Sequence, residues 1–124
     1  MSQWYARAVL AVADAERALG FYVGQLGFKE DWRFEETGKA SVVQVSRLGC
    51  ELILSAQWPE GRGRGVMFVS LDPEVLDALR IELGAKGVDV EDGWWGYHVM
   101  ILRDPDGNRL LFPYPNPPVA EGKA

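Results

Sequence analysis

Cysteine and histidine are nearly missing from this chain, with one of each, Cys50 and His98, in 124 residues. A single cysteine rules out an intrachain disulfide framework, and without a CxxC pair or a Cys/His cluster nothing can hold a structural zinc. Such cysteine usage fits a reducing cytoplasm. Positive charge is also short, 13 Lys+Arg against 18 Asp+Glu, for a net charge of −5. A phosphate-reading surface needs an excess of cations, so the balance opposes nucleic acid as a partner and would suit a cationic ligand better. Long apolar runs are absent too. In MSQWYARAVLAVADAERAL, Arg7 and Asp14 lie close on either side of a short apolar run. That run is too short for a membrane span or a signal peptide, so neither a membrane partner nor a targeting signal is expected.

What is present is enough apolar content, 48% of residues, for one well-buried core but not for two conventional independent domains. Residues 8 to 13, AVLAVA, read as a buried strand, with Asp14 as a helix N-cap and Glu16 in the first turn. Ala18, Leu19, Tyr22, Val23 and Leu26 recur at helical spacing, and Gly27 is a candidate C-cap. Strands follow at about 28 to 35, 40 to 47 and 51 to 55, separated by TGK and LGC. The second half repeats this order. GVMFVSL is a strand, Asp72-Pro73-Glu74 starts a helix that ends near Gly84 to Gly87, and VDVED, YHVMILR and RLLFP follow. Asp14 and Asp72, Glu16 and Glu74, Gly49 and Gly107, and Leu52 and Leu110 share one offset of 58 residues. The chain is therefore expected to be α+β, two tandem βαβββ modules forming curved mixed sheets with helices on the outer face. The modules span about 5–56 and 64–114 of a single domain, ahead of a Pro-rich tail at 115–124. Each module is too small to close a core alone, so the two should pack on each other or, paired or swapped, on a second chain.

RAVLAVADAERALGFYVGQLGF and WWGYHVMILRDPDGNRLLF resemble the opening strand and helix, and the closing hairpin, of the glyoxalase / bleomycin-resistance / extradiol-dioxygenase group, the vicinal oxygen chelate superfamily. The resemblance runs over about residues 5 to 114 and implies the paired βαβββ fold and a homodimer without fixing one activity. Family enzymes hold a divalent metal with a first-strand and a last-strand ligand in each module. By the family's spacing these positions are Arg7 and Gly65, seven residues before the N-cap Asp, and Ile53 and Leu111, four after the turn Gly. None is a good metal ligand, since a divalent ion wants imidazole or carboxylate. No metal and no other cofactor are therefore expected, and the metal-dependent lyase and oxygenase reactions lose their Lewis acid or redox centre. What remains resembles the bleomycin-resistance branch, whose members sequester a drug.

No catalytic residue stands out. His98 should point away from the cavity, toward the helix layer or solvent, and Cys50 has no histidine at a spacing that would activate it. Aromatic residues point to binding instead. Five tryptophans are many for this length, and Trp32, Trp58, Trp94 and Trp95 fall near strand edges or loops, where a ring can stack on a planar ligand or close an interface. The resemblance favours Trp95 as a cleft residue. Trp32 and Phe34 are expected on one face of their strand, with Asp31 and Arg33 on the other. Tyr97 and Leu111 complete the candidate lining, and Glu51 shares its parity with Ile53. Arg7, at an old ligand position, must meet an anion, either Glu51 or an acidic ligand; this signal opposes that of the net charge. The favoured reading is a small-molecule binding protein of the bleomycin-resistance type. The alternatives are a lyase or oxygenase of the same fold, metal-free or with a relocated metal, and a non-catalytic partner module whose cavity is filled by its own side chains.

Overall fold

The computed structural model describes residues 3–96 and 98–114. Its elements are β1 (Ala8–Ala11), α1 (Ala15–Leu19), β2 (Lys29–Glu36), β3 (Lys39–Arg47), β4 (Cys50–Ser55), β5 (Val66–Phe68), α2 (Pro73–Ala85), β6 (Glu91–Trp94), β7 (His98–Arg103) and β8 (Arg109–Pro113). The strands form two four-stranded sheets, ordered β1-β4-β3-β2 and β5-β8-β7-β6. The second order is the first one repeated, so the 58-residue offset in the sequence is an architectural repeat. The Pro-rich tail expected at 115–124 lies outside the described residues.

By compactness the chain divides into two units, Met1–Val66 with Arg103–Arg109, and Met67–Leu102 with Leu110–Ala124. The division does not follow the repeat, because the RDPDGN turn belongs to the first unit.

In the first unit β1 runs parallel to β4, and β3 pairs antiparallel with both β4 and β2. Alternation sends Val43 and Val45 of β3 and Leu52 and Leu54 of β4 to one face, where all four are fully buried. Helix α1 packs against these two strands, so this is the helix face, and each buried aliphatic there contributes about 2 kcal/mol. Asp14 caps α1 as expected, its carboxylate accepting from the Arg17 amide at 3.1 Å. That hydrogen bond holds the Asp14 carboxyl below its ordinary range. One departure is that Gly20–Gln25 continues as a π-helical stretch. The Leu26 amide accordingly reaches back five residues to the Phe21 carbonyl at 3.0 Å. Gly20 and Gly24 hold this stretch's backbone only weakly to α-helical form. Gly27, with φ of 75°, takes the left-handed position beyond the helix end.

The second unit draws its buried residues from Leu76 and Leu83 of α2, Val99, Met100 and Leu102 of β7, and Leu110, Leu111 and Phe112 of β8. Helix α2 starts at Pro73 as expected, but Asp72 makes no side-chain capping bond. Glu91 opens β6 inside VDVED, and the strand continues through Gly93 and Trp94.

The RDPDGN turn is a densely bonded node in the first unit. Asp104 Oδ1 accepts from the Asp106 and Asn108 amides, both at 2.9 Å. Its Oδ2 accepts from the Tyr22 hydroxyl at 3.0 Å and from Asn108 Nδ2 at 2.9 Å. Asn108, fully buried, also donates to the Ala11 carbonyl at 2.9 Å and accepts from the Gly65 amide at 2.8 Å. Burial and the neighbouring Asp104 push the Tyr22 hydroxyl far above its ordinary range, so it remains a donor. Asp106 reaches α1, accepting from Arg17 at 2.7 Å. Asn108→Ala removes side-chain bonds to three different segments and strands their buried groups, so it should cost about 2–4 kcal/mol in urea denaturation, against about 1 kcal/mol for Tyr22→Phe.

Candidate functional site

The face of the first sheet opposite α1 is built by the remaining alternation of β1, β4, β3 and β2. The pairing places Val9 beside Ile53, Ile53 beside Gln44, and Gln44 beside Trp32. A neighbouring row runs from Ala11 through Ser55 and Val42 to Phe34. On the other side, Ser46 pairs with Glu51, and Arg7 sits one residue before the Ala8–Leu52 pair. The face has an apolar part and a polar end. Val9 (61%), Trp32 (41%) and Phe34 (51%) are exposed on it, a concentration of large apolar groups that folding of the first unit leaves uncovered.

Gln44 organises the polar end. It is buried, and its Oε1 accepts from the Trp32 indole at 3.1 Å and from the Arg7 guanidinium. Its Nε2 donates to Asp31 Oδ2 at 3.1 Å, while the Ser46 hydroxyl donates to Asp31 Oδ1 at 2.9 Å. Gln44 therefore has its amide orientation set by a carboxylate on one side and two N–H donors on the other. The Gln44 bond, with help from Ser46 and Lys29, holds the Asp31 carboxyl below its ordinary 3.8 despite an opposing desolvation effect. Glu51 lies on the same face by register, and its Oε1 is buried with no hydrogen-bond partner among the described residues.

Two expectations for this face are corrected. Asp31 was expected opposite Trp32, but the β2–β3 register shifts between Glu30 and Trp32. This bulge leaves Asp31 outside the pairing and lets it share Gln44 with Trp32. Arg7 was expected to meet an anion, either Glu51 or an acidic ligand, and the first of these is corrected. It is exposed, lies over the Tyr5 ring with 5.2 Å to the centroid, and bonds the neutral Gln44 amide.

Among the other residues singled out, Trp58 caps the short 3-10 turn Pro59–Gly61, with its ring against the Gly61 α-carbon. In the second unit Trp94 pairs with His98 and meets its ring edge-on at 5.1 Å. His98 shares strand parity with the buried Met100 and Leu102 but is itself exposed, so Trp94 lies on that side and not with Val99 and Ile101. Trp95 packs on Phe68 at 5.2 Å. Leu111 is buried in β8, which leaves no surface for a ligand in this arrangement. Tyr97 lies outside the described residues. Burial raises the Cys50 thiol above its ordinary range, which opposes a nucleophilic role.

The model of the Glyoxalase/Bleomycin resistance protein/Dioxygenase superfamily matches residues 4–112. The chain belongs to this superfamily. Among solved structures, the bleomycin-binding protein of Streptomyces verticillus, complexed with copper(II)-bleomycin, is 23% identical, with a TM-score of 0.71 over 94% of this chain and 100% of that one. TnmS3, an antibiotic binding protein from Streptomyces sp. CB03234, is 23% identical with a TM-score of 0.70 over the same shares. A lactoylglutathione lyase from Agrobacterium tumefaciens is 18% identical, with a TM-score of 0.68 over 91% and 94% of the two chains. A comparison with curated proteins gave no match. At these identities the likeness is one of fold.

Against the superfamily's metal positions, the donor chemistry of this chain does not fit. Arg7 is cationic and Ile53 and Leu111 are aliphatic. At Gly65 a Cβ would stand 2.5 Å from Leu10 Cδ2 and 3.0 Å from Asn108 Oδ1, so a ligating side chain there would have to displace Leu10. Among the described residues no group of three His, Cys, Asp or Glu side chains is placed to hold a metal ion, and no helix is long and apolar enough to cross a membrane.

Gln44, Val9 and Ser46 are members of the face that sequence reasoning missed. The available signal was SVVQVS, where Gln44 and Ser46 interrupt an apolar strand at a spacing of two and so share one side. In a pH titration followed by carboxyl-carbon NMR, the Asp31 midpoint should fall below 3.8. The stabilisation it reports is present above that ordinary value and is lost as pH drops through the lowered one. Gln44→Leu should move the midpoint up toward 3.8.

Proposed function

We propose that this protein binds a small, flat, largely apolar molecule, a drug or an aromatic metabolite, on the open face of its first sheet and acts by sequestering it. The observation that carries this reading is the exposure of Trp32 and Phe34, with Val9 across the sheet, on a face whose superfamily metal positions, Arg7 and Ile53, hold no metal donor. Indole and phenyl rings offer large rigid surfaces to a planar ligand at little entropic cost, and binding of this kind needs no metal. The antibiotic-binding and bleomycin-binding proteins among its structural neighbours support the same direction. A homodimer in a reducing cytoplasm completes the proposal, the exposed apolar face supplying surface that a second copy can help to enclose.

The lactoylglutathione lyase among the neighbours favours a second reading, an enzyme with a relocated metal. Elemental analysis of protein purified without chelator separates the two, because stoichiometric Fe, Mn, Ni or Zn would overturn metal-free binding. Titration of tryptophan fluorescence with a panel of glycopeptide drugs and small aromatic compounds should show saturable quenching by at least one of them. Trp32→Ala should weaken binding of that compound about tenfold, consistent with loss of a stacked aromatic contact worth about 1.4 kcal/mol. No quenching across the panel would overturn the proposal.

A further inference from the structure

The polar end of the open face specifies more than flatness. The Arg7 guanidinium and the Trp32 indole aim two N–H donors at one point, now held by the neutral Gln44 oxygen. Beside them, by register, Glu51 holds a buried oxygen that receives no hydrogen bond among the described residues. The other carboxylate of this end, Asp31, is already occupied by Gln44, Ser46 and Lys29. The chemistry on offer is thus the remaining N–H groups of the Arg7 guanidinium next to an unmet acceptor. A ligand carboxylate would satisfy Arg7 but would set its charge beside Glu51. A simple cation would satisfy Glu51 but would face Arg7. A neutral amide satisfies both, its carbonyl accepting from Arg7 while its N–H donates to Glu51.

Resting on the binding reading above, we infer that the ligand class of this face is a neutral planar aromatic with a primary carboxamide or lactam edge, whose C=O accepts from a further N–H of the Arg7 guanidinium beside the Gln44 oxygen and whose N–H reaches Glu51. Arg7 is exposed and held by a single neutral acceptor among the described residues, so it can swing to admit the edge. Trp32 and Phe34 receive the ring.

Calorimetric titration of the full chain with 2-naphthamide, 2-naphthoate and N,N-dimethyl-2-naphthamide tests this, since the three share a ring and differ only at the edge. The amide should bind about tenfold more tightly than the other two, the effect of roughly one hydrogen bond. Glu51→Gln should relieve the repulsion and narrow the gap between amide and carboxylate. Arg7→Ala, a surface change that leaves the strand pairing alone, should weaken the amide about tenfold. Naphthoate binding as tightly as naphthamide, or a preference unchanged in both variants, would overturn the inference while leaving the binding reading standing. If no probe binds, the inference fails and the binding reading rests on the wider panel; if all three bind Trp32→Ala as they bind the unaltered protein, the face is not the site and both fail.

Discussion

Everything on the open face depends on a buried polar knot that lies elsewhere in the first unit. Asp104 and Asn108 together serve the turn's own amides, the Tyr22 hydroxyl, the Ala11 carbonyl and the Gly65 amide. A carboxylate and an amide with nearly every lone pair and proton used can sit in a core at little net cost. The same groups half-satisfied would each be strongly destabilising. The knot therefore tolerates essentially one arrangement of β1, the helix and the start of β5. Glycine is needed beside it because at Gly63, with φ of 80°, a Cβ would fall 2.3 Å from the Asp106 carbonyl oxygen.

With β1 anchored, strand alternation does the rest. Burying Val43, Val45, Leu52 and Leu54 under α1 obliges Gln44, Ser46, Glu51 and Ile53 to face the other way. A slip of one residue would exchange the two sets, so the hydrophobic core holds the candidate site in register. The bulge at Asp31 is the local exception. It brings a second polar side chain to the Trp32 face, and that side chain orients the Gln44 amide. Scaffold and recognition are joined at Gln44, which is buried like a core residue yet bonded to three side chains on the exposed face, Arg7, Trp32 and Asp31.

The repeat and most strand positions were legible because apolar alternation, turn residues and caps are local signals that the chain displays directly. RDPDGN is legible as a turn for the same reason. That its Asp104 and Asn108 bond residues as far away as Ala11 and Tyr22 is invisible in sequence, since the partners are nearly a whole chain length apart. Arg7 shows how far local reasoning reaches. Its place on the open face follows from strand parity, but its partner does not, because Glu51 lies one strand away and Gln44 two, both within reach of a long side chain, and only packing selects between them.

What the sequence by itself determined is the tandem βαβββ plan, the superfamily, and the absence of ligating side chains at Arg7, Ile53, Gly65 and Leu111. These follow from residue type and spacing, which need no coordinates. Tertiary structure decided which aromatics share a surface. It gathered Trp32 and Phe34 with Val9 and Gln44, set Trp94 against His98 and Trp95 against Phe68, and buried Leu111. Exposure and cross-strand partnership are properties of register and of what packs above each strand, and a bulge of one residue is enough to redirect them.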